Sequence, residues 1–442
     1  MNFQFDIFFI VTIGTFFIGA ITFRSVNGFW QRFLWVGLIA GVYIYNGVGA
    51  AYPGIPIEYI WYYFSFLISV SLSFFFFIAI SPSLSHHSGR VFKRTLKSVE
   101  QNRKWDLVLL FYLFLHFIPF LYPELRIHDF FSPRLPDLKQ TFAMRMEVQD
   151  VNPILKVIDY VRILMTPFFF IALYRYNLNI KKVMFILFFL LYIQYANTSY
   201  IGRSAFGANA LLIFVALWAL RKDYRKRLIL VGIALTPILL AFFYFYSIIR
   251  IGGNVSDFKV SKAVNGLIYQ ETGFPLRVGI PVIESNRGAD LESYFKWMIT
   301  LPIPKILTGE IAGTRINYEI SELILGTSMG SKGWYVVLPG LVAESIYIYG
   351  KYFFWIHGMF IGFIGAMMIR LVERTPQLLF LQSYLVVLFF YDLNRAGISG
   401  FLPKIVNHFI LFYGAMFFLL INPIRKNRKP LKNNLMLNSN VF

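Results

Sequence analysis

Long apolar runs dominate this chain and recur at short intervals along it. Each run is about 17–22 residues long, which is the length at which an α-helix crosses about 30 Å of hydrocarbon. The pattern predicts an all-α fold, a polytopic membrane helical bundle of about 11 transmembrane helices, with 10–12 compatible with the run boundaries. The predicted spans are residues 5–23, 33–51, 59–80, 106–121, 154–174, 183–199, 204–220, 228–249, 352–369, 378–391 and 401–421.

One long polar stretch, residues 250–333, interrupts the apolar pattern. Because the sequence on both sides is apolar, we predict a folded loop held at one membrane face, outside the hydrocarbon. The loop also divides the chain. The predicted segments are an N-terminal membrane bundle (1–249), the large loop (250–333), C-terminal membrane helices (334–421) and a basic tail (422–442).

Segment 334–350 is short for a membrane span and is interrupted within. Pro339, Gly340 and Glu344 all lie inside it. We expect a re-entrant or broken helix here, because a membrane tolerates such a backbone where it is buried in protein or lines a wet cavity.

Composition supports the membrane assignment. Hydrophobic residues make up 57% of the chain and charged residues 14%, with a mean hydropathy of +0.60. A soluble domain cannot cover its apolar surface at this ratio. Cysteine is absent, so cysteine usage gives no information about the redox compartment.

The net charge of +20 follows from basic clusters in short loops, which argues against a nucleic-acid-binding surface. Under the positive-inside rule these clusters face the cytoplasm. The predicted topology therefore has an external N-terminus, an external loop 250–333 and an internal C-terminus. The clusters are Arg90, Lys93, Arg94, Lys97, Arg103 and Lys104; Arg221, Lys222, Arg225, Lys226 and Arg227; and Arg425, Lys426, Arg428 and Lys429.

Familiar catalytic and cofactor motifs are missing from the sequence. The segment from Gly326 to Lys332 resembles a phosphate loop only superficially, because its second glycine is misplaced and no buried strand precedes it. The six histidines are scattered, and neither a His-Glu-x-x-His nor an Asp-x-Asp pattern occurs. We therefore expect neither a bound metal nor a cofactor.

Arginines at the predicted external boundary are the first candidate site residues. Arg250, Arg203 and Arg395 each lie at the edge of an apolar run, beside glycine or asparagine. Arginine at such a depth binds a lipid phosphate through its bidentate fork, or simply anchors the end of a helix. Arg277 and Arg287, both in the loop, are further candidates for anion binding.

Two acids are candidates for general-base chemistry. Glu344 lies in an apolar segment, where desolvation raises a carboxyl pKa and a neighbouring arginine would lower it again. The alternative is a structural ion pair that caps a broken helix. Glu271, which with Glu284 flanks Arg277 in the loop, is the second candidate, for catalysis or sugar binding, with a solvated surface charge as the alternative. External aromatic residues could stack on sugars or pack in the core; these are Tyr269, Tyr294, Trp297 and Trp334.

The layout resembles the Wzy-type O-antigen polymerases, which join oligosaccharide repeat units. The likeness rests on about 11 spans, one late external loop and external arginines, and on three local sequences. They are Tyr294-Phe-Lys-Trp-Met-Ile-Thr-Leu-Pro-Ile-Pro-Lys305, Gly333-Trp-Tyr-Val-Val-Leu-Pro-Gly-Leu-Val-Ala-Glu344-Ser-Ile-Tyr-Ile-Tyr-Gly350 and Asn394-Arg395-Ala-Gly.

The resemblance implies a bacterial inner-membrane glycosyltransferase that acts on undecaprenyl-diphosphate-linked glycans at the periplasmic face. It also implies a chain-length regulator protein as partner, contact with membrane lipid, and no obligatory metal. In this interpretation Arg250, Arg203 and Arg395 bind the diphosphate, and Glu344 or Glu271 is the base. The related O-antigen ligases have a loop histidine, which residues 250–332 lack. A lipid-linked oligosaccharide flippase is the other alternative, although repeated halves are not apparent.

Overall fold

The computed structural model describes most of the chain, and every structural statement below concerns the part it describes. That part comprises residues 4–80, 99–121, 130–131, 153–198, 203–220, 222–250, 269, 272, 274–285, 287–303, 313–329, 331, 334, 336–372 and 375–421.

Within these residues the chain is almost entirely helical and contains no β-strand. The first eight α-helices are α1 (Phe5–Arg24), α2 (Phe29–Val42), α3 (Glu58–Ile80), α4 (Lys104–Leu121), α5 (Pro153–Leu173), α6 (Ile180–Thr198), α7 (Arg203–Leu220) and α8 (Arg225–Arg250). A π-turn (Tyr43–Gly47) and a 3-10 turn (Val48–Ala51) extend α2.

The remaining helices belong to the polar loop and the C-terminal part. They are α9 (Phe274–Glu284), α10 (Leu291–Thr300), α11 (Ile316–Leu325), α12 (Leu341–Phe353), α13 (Trp355–Val372), α14 (Leu379–Val387) and α15 (Leu393–Ile421). A 3-10 turn (Pro376–Leu378) leads into α14, and a π-turn (Leu388–Asp392) joins α14 to α15.

Each of the predicted spans falls on helix, to within a residue or two at its ends. Eight stretches of the described chain are long and apolar enough to cross a membrane. One of them, Pro376–Phe417, has 42 residues and covers two predicted spans. The structure thus confirms a polytopic membrane protein built from helices.

The long stretch from Pro376 folds back on itself at Gly397. This glycine has φ 67° and ψ −170°, a conformation that is essentially restricted to glycine. Residues at similar distances before and after it meet: the Tyr384 hydroxyl lies 3.1 Å from His408 Nδ1, and the rings of Phe389 and Phe401 are 4.8 Å apart. The stretch is therefore an antiparallel helical hairpin, with one predicted span in each arm.

Small residues allow close packing inside the bundle. Gly358 and Gly362 on α13 lie against α3, where a β-carbon at either position would collide with Ser69 or with the backbone of Val70. Gly41 on α2 is in similar contact with Asn394. These glycines thus allow close contacts between helices of the same chain.

The two ends of the bundle differ in what covers them. Helices α9 and α11 pack on α12, and α9 also contacts the Val48–Ala51 turn that follows α2. We call this end of the bundle the loop end and the other the opposite end. Local signals define the loop helices: the Asp290 side chain caps α10, and Gly326, with φ 64°, ends α11.

Helix α12 corresponds to the segment predicted to be re-entrant or broken. It is bent at Gly350, where φ is 76° and ψ is 169°, and it is not among the stretches able to cross a membrane. Beyond the bend the chain turns back, so that Ser345 Oγ lies 2.8 Å from His357 Nδ1 on α13. This bend coincides with the last residue of segment 334–350.

Candidate functional site

The buried carboxylate of Glu344 lies at the centre of the loop end. Its side chain belongs to α12, and the residue is 2% exposed. Oε2 accepts a hydrogen bond from the Ile398 amide at 2.6 Å. Oε1 accepts two from Ser399, from the amide at 3.1 Å and from the hydroxyl at 2.7 Å. Because these amides begin the second arm of the hairpin, Glu344 caps a helix N-terminus from another part of the chain.

This geometry distinguishes between the two interpretations of Glu344. Burial raises its pKa to about 7, while the hydrogen bonds from Ser399 and Ile398 act in the opposite direction. The groups that stabilise its charge are thus a hydroxyl and amides, in place of the arginine that we expected. The contacts favour the capping interpretation, with hydrogen bonds instead of an ion pair.

Asn46 caps the start of α12, and no local sequence pattern indicated this role. Its Oδ1 accepts hydrogen bonds from the amides of Leu341 at 2.8 Å and Val342 at 3.3 Å. The preceding residue, Gly340, has φ 83° and places these amides at a sharp entry into the helix. The π-turn after α2 therefore holds one end of the helix that carries Glu344.

Arg395 lies two residues before the hairpin bend. Its Nη1 donates a hydrogen bond to the Tyr391 hydroxyl at 2.7 Å, and its guanidinium lies 5.4 Å from the centre of that ring. The residue is partly exposed. Because Glu344 fixes the backbone just after Gly397, it also fixes the turn from which Arg395 projects.

Arg277 and Arg287 are both exposed at the same end. Arg277, on α9, donates to the Tyr269 hydroxyl at 3.2 Å. Helix α9 lies so close to the start of α12 that a β-carbon on Gly279 would collide with the Pro339 carbonyl. Burial raises the pKa of the Tyr347 phenol, on α12, to about 12. The nearby charge of Arg287 lowers this pKa, as a smaller effect.

The directions of α7 and α8 indicate at which end of the bundle Arg203 and Arg250 lie. The C-terminal end of α7 and the start of α14 line one cavity, and Arg225, which begins α8, stacks over Phe29 at the start of α2. Both contacts are at the opposite end. At about 1.5 Å per residue, the backbones of Arg203 and Arg250 lie toward the loop end. Their side chains, and the whole of Glu271, lie outside the described residues.

Glu319 is a second acid of the loop end, on α11. Burial, followed by the nearby charge of Asp290, raises its pKa to about 7. Its Oε2 is 3.5 Å from the Tyr347 hydroxyl, at the long limit of a hydrogen bond. Unlike Glu344, this residue is only half-buried. No local sequence pattern distinguishes it from the other charged residues of the loop.

Of the four aromatic residues for which both sugar stacking and core packing were possible, two are core residues. Tyr294 is fully buried and Trp297 is 4% exposed, and their rings stack with centres 5.9 Å apart. Tyr269 contacts Tyr52 edge to face, and Trp334 contacts Tyr318 in the same way. Of the four, Tyr294 and Trp297 cannot serve as sugar platforms in this conformation.

Comparison with known proteins adds no evidence about the family of this chain. The chain matches no protein-family model, no curated protein and no solved structure. Among the described residues, no three side chains of histidine, aspartate or glutamate are grouped so that they could hold a metal ion. What the structure establishes is a helical membrane bundle with a polar, arginine-bearing site candidate at one end.

Proposed function

We propose that the protein is a polysaccharide polymerase of the bacterial inner membrane. It joins undecaprenyl-diphosphate-linked oligosaccharide repeat units, for O-antigen or capsule, at the face that bears the loop. The proposal starts from the resemblance in layout to the Wzy-type polymerases. One observation supports it most: a half-buried carboxyl with a pKa near neutrality, Glu319, at the same end of the bundle as the arginines.

The chemistry requires one base and one anion-binding group. An acceptor hydroxyl attacks the anomeric carbon of the donor, the bond from that carbon to the diphosphate oxygen breaks, and undecaprenyl diphosphate leaves with the bonding electrons. The hydroxyl proton passes to a carboxylate. A base with a pKa near the working pH serves best, because it is largely ionised yet still binds a proton effectively.

We assign this base to Glu319 instead of Glu344. Both oxygens of Glu344 already accept hydrogen bonds, and the residue is 2% exposed, so an acceptor hydroxyl has no route to it. Glu344 is then a positioning residue that holds the hairpin turn. Glu271, outside the described residues, remains a candidate from the sequence alone.

Arginines provide the anion-binding group. Arg395 projects from the turn held by Glu344, and Arg277 and Arg287 are exposed on the loop side. Guanidinium groups stay charged at every working pH and bind diphosphate oxygens in pairs, which offsets the charge that develops on the leaving group. Arg203 and Arg250 are further diphosphate ligands, on helices whose ends lie toward the same end of the bundle.

Deletion of the gene in its own organism tests the proposal. Loss of a polymerase leaves surface glycolipid that carries single repeat units, and an intact copy restores long chains. Loss of a flippase leaves no repeat units on the surface, and loss of a ligase leaves polymer that is not attached to lipid. Either of these outcomes contradicts the proposal.

The proposed orientation has its own test. With the loop in the periplasm, protease added to spheroplasts cleaves within residues 250–333, while the tail 422–442 is cut only after lysis. Crosslinking to a chain-length regulator, the partner implied by the same resemblance, should depend on the intact membrane bundle. Cleavage of the tail in intact spheroplasts would show that the topology is the reverse of the proposed one.

A further inference from the structure

A cavity with both apolar and polar lining residues lies at the opposite end of the bundle from the proposed catalytic site. Its volume is about 450 Å³. It lies between the end of α7, the start of α8 and the start of α14, and its wall includes Trp30, Lys222, Arg225, Thr375 and Gln382. The proposed function makes no use of it.

Two cations face this cavity, and one of them is held in place. Arg225 Nε donates to the Trp218 carbonyl at 3.0 Å, and the guanidinium stacks 5.4 Å from the Trp218 ring and 5.7 Å from the Phe29 ring. Within the described part of the chain, these contacts engage Nε and the faces of the guanidinium, and none of them engages its two terminal nitrogens. Lys222, three residues earlier, is exposed.

The start of α8 adds to the positive potential. The helix begins at Arg225 and runs for 26 residues, so its first amides have no partner within the helix. The first turn carries no acidic residue. An anion in the cavity would therefore meet the positive end of a long helix together with two cationic side chains.

Gln382 gives an independent indication of a ligand. The residue is 1% exposed, and its Nε2 donates a hydrogen bond to the Val372 carbonyl. This contact sets the orientation of the amide, and the other amide atom, Oε1, has no hydrogen-bond partner among the described residues. A buried acceptor without a donor is costly. A ligand that fits here brings a hydroxyl or an ammonium group as well as its negative charge.

We propose that this cavity binds the headgroup of a membrane phospholipid, with the phosphate on Lys222 and Arg225 and a headgroup hydroxyl or ammonium on Gln382. The position favours a lipid, because the cavity opens at one end of a membrane bundle beside Phe29 and Trp30, and aromatic residues are typical of the membrane interface. Free phosphate shares the anionic chemistry and is the source that the test must distinguish.

Native mass spectrometry of the purified full-length protein in detergent measures the binding. The probes are phosphatidylglycerol, phosphatidic acid and phosphatidylcholine, and inorganic phosphate serves as a competitor. The test variant is Lys222→Gln with Arg225→Gln. The matched control is Lys181→Gln with Lys182→Gln, which removes the same charge from exposed lysines at the same end but outside the cavity wall.

The double variant should raise the Kd for phosphatidylglycerol by on the order of tenfold or more, while the control stays near the wild-type value. Equal weakening in both variants, or in neither, overturns the proposal. So does binding of inorganic phosphate with no phospholipid retained, because the site would then serve free phosphate. If the double variant fails to fold, Lys222→Gln alone, at an exposed position, provides the same comparison.

Gln382→Met tests the second contact. It removes the acceptor, so the preference for phosphatidylglycerol, which carries headgroup hydroxyls, over phosphatidic acid should disappear while phosphatidic acid still binds. An unchanged preference overturns the assignment of Gln382.

Discussion

Glu344 and Ser399 are joined twice, because one carboxylate oxygen accepts both the backbone amide at 3.1 Å and the hydroxyl at 2.7 Å. The two residues are 55 positions apart, on either side of a span and half of a helical hairpin. Their contact holds the turn that bears Arg395. The proposed diphosphate site thus depends on a carboxylate that never needs to touch the substrate.

The bend at Gly397 should not tolerate a side chain. Alanine there would adopt a backbone conformation essentially restricted to glycine, and its β-carbon would collide with the Glu344 carboxylate. We expect Gly397→Ala to destabilise the fold by about 2–5 kcal/mol, seen as a lower thermal unfolding midpoint in detergent. Gly414→Ala, where the same β-carbon meets open space, should leave the midpoint unchanged. Equal midpoints for both variants would contradict the capping geometry.

Glu344→Gln keeps the shape of the side chain but replaces one accepting oxygen with a donor that faces another donor. The loss of charge-assisted hydrogen bonds should cost about 1.5–3 kcal/mol and shorten the polymer chains. Ser399→Ala removes one of the three donors to Glu344 and should cause the same changes to a smaller extent. Wild-type stability with abolished polymerisation in Glu344→Gln would instead favour a direct catalytic role.

The raised pKa of Glu319 predicts a pH dependence. A base must be ionised, so polymerisation by purified protein should rise with pH through a midpoint of about 7 and level off above it. Since the charge of Asp290 contributes to this pKa, Asp290→Asn should move the rise to lower pH. Asparagine still caps α10, which keeps the helix intact. A rise at the wild-type position in this variant would remove Glu319 from the proposed role.

Glu319→Gln should abolish polymerisation with little loss of protein, because glutamine resembles the protonated carboxyl. Its control is Glu292→Gln on α10, whose exposed ion pair with Lys296 contributes little to stability. Surface glycolipid, resolved by chain length, distinguishes the two. Single repeat units are expected for Glu319→Gln and full chains for Glu292→Gln.

Arg395→Lys tests whether the guanidinium itself is needed. Lysine keeps the charge but cannot form paired hydrogen bonds to a diphosphate or the same stacking on Tyr391. We expect mostly single repeat units at a normal protein level. Arg103→Lys, an exposed change near the start of α4, should behave as wild type. Long chains from Arg395→Lys would show that charge alone suffices.

The spans could be predicted because apolar run length depends on local sequence alone. In the sequence, Pro339 and Gly340 marked the segment around Glu344 as unusual. The partners of Glu344 could not be predicted, because Ile398 and Ser399 follow 54 and 55 residues later and pair only through tertiary folding.

The same reasoning explains why the surroundings of the candidate residues could not be read from the sequence. Glu319 has an unremarkable neighbourhood in sequence, and its shifted pKa arises from burial and from Asp290, which another helix brings close. Tyr294 and Trp297 lie on one short amphipathic helix whose apolar side faces inward, so core packing, one of the two alternatives, applies to both. Local patterns indicate which residues are unusual, and packing decides what they contact.

The cap that Asn46 places on α12 bears on how the chain assembles during synthesis. Asn46 leaves the ribosome 295 residues before Leu341, which its side chain must bind. At about 5–20 residues per second, that interval is on the order of 15–60 seconds. Throughout it the Asn46 side chain, near the end of α2, lacks its native partner. The start of α12 therefore acquires this cap only after a long delay, and an alternative pairing of Asn46 can form in that interval.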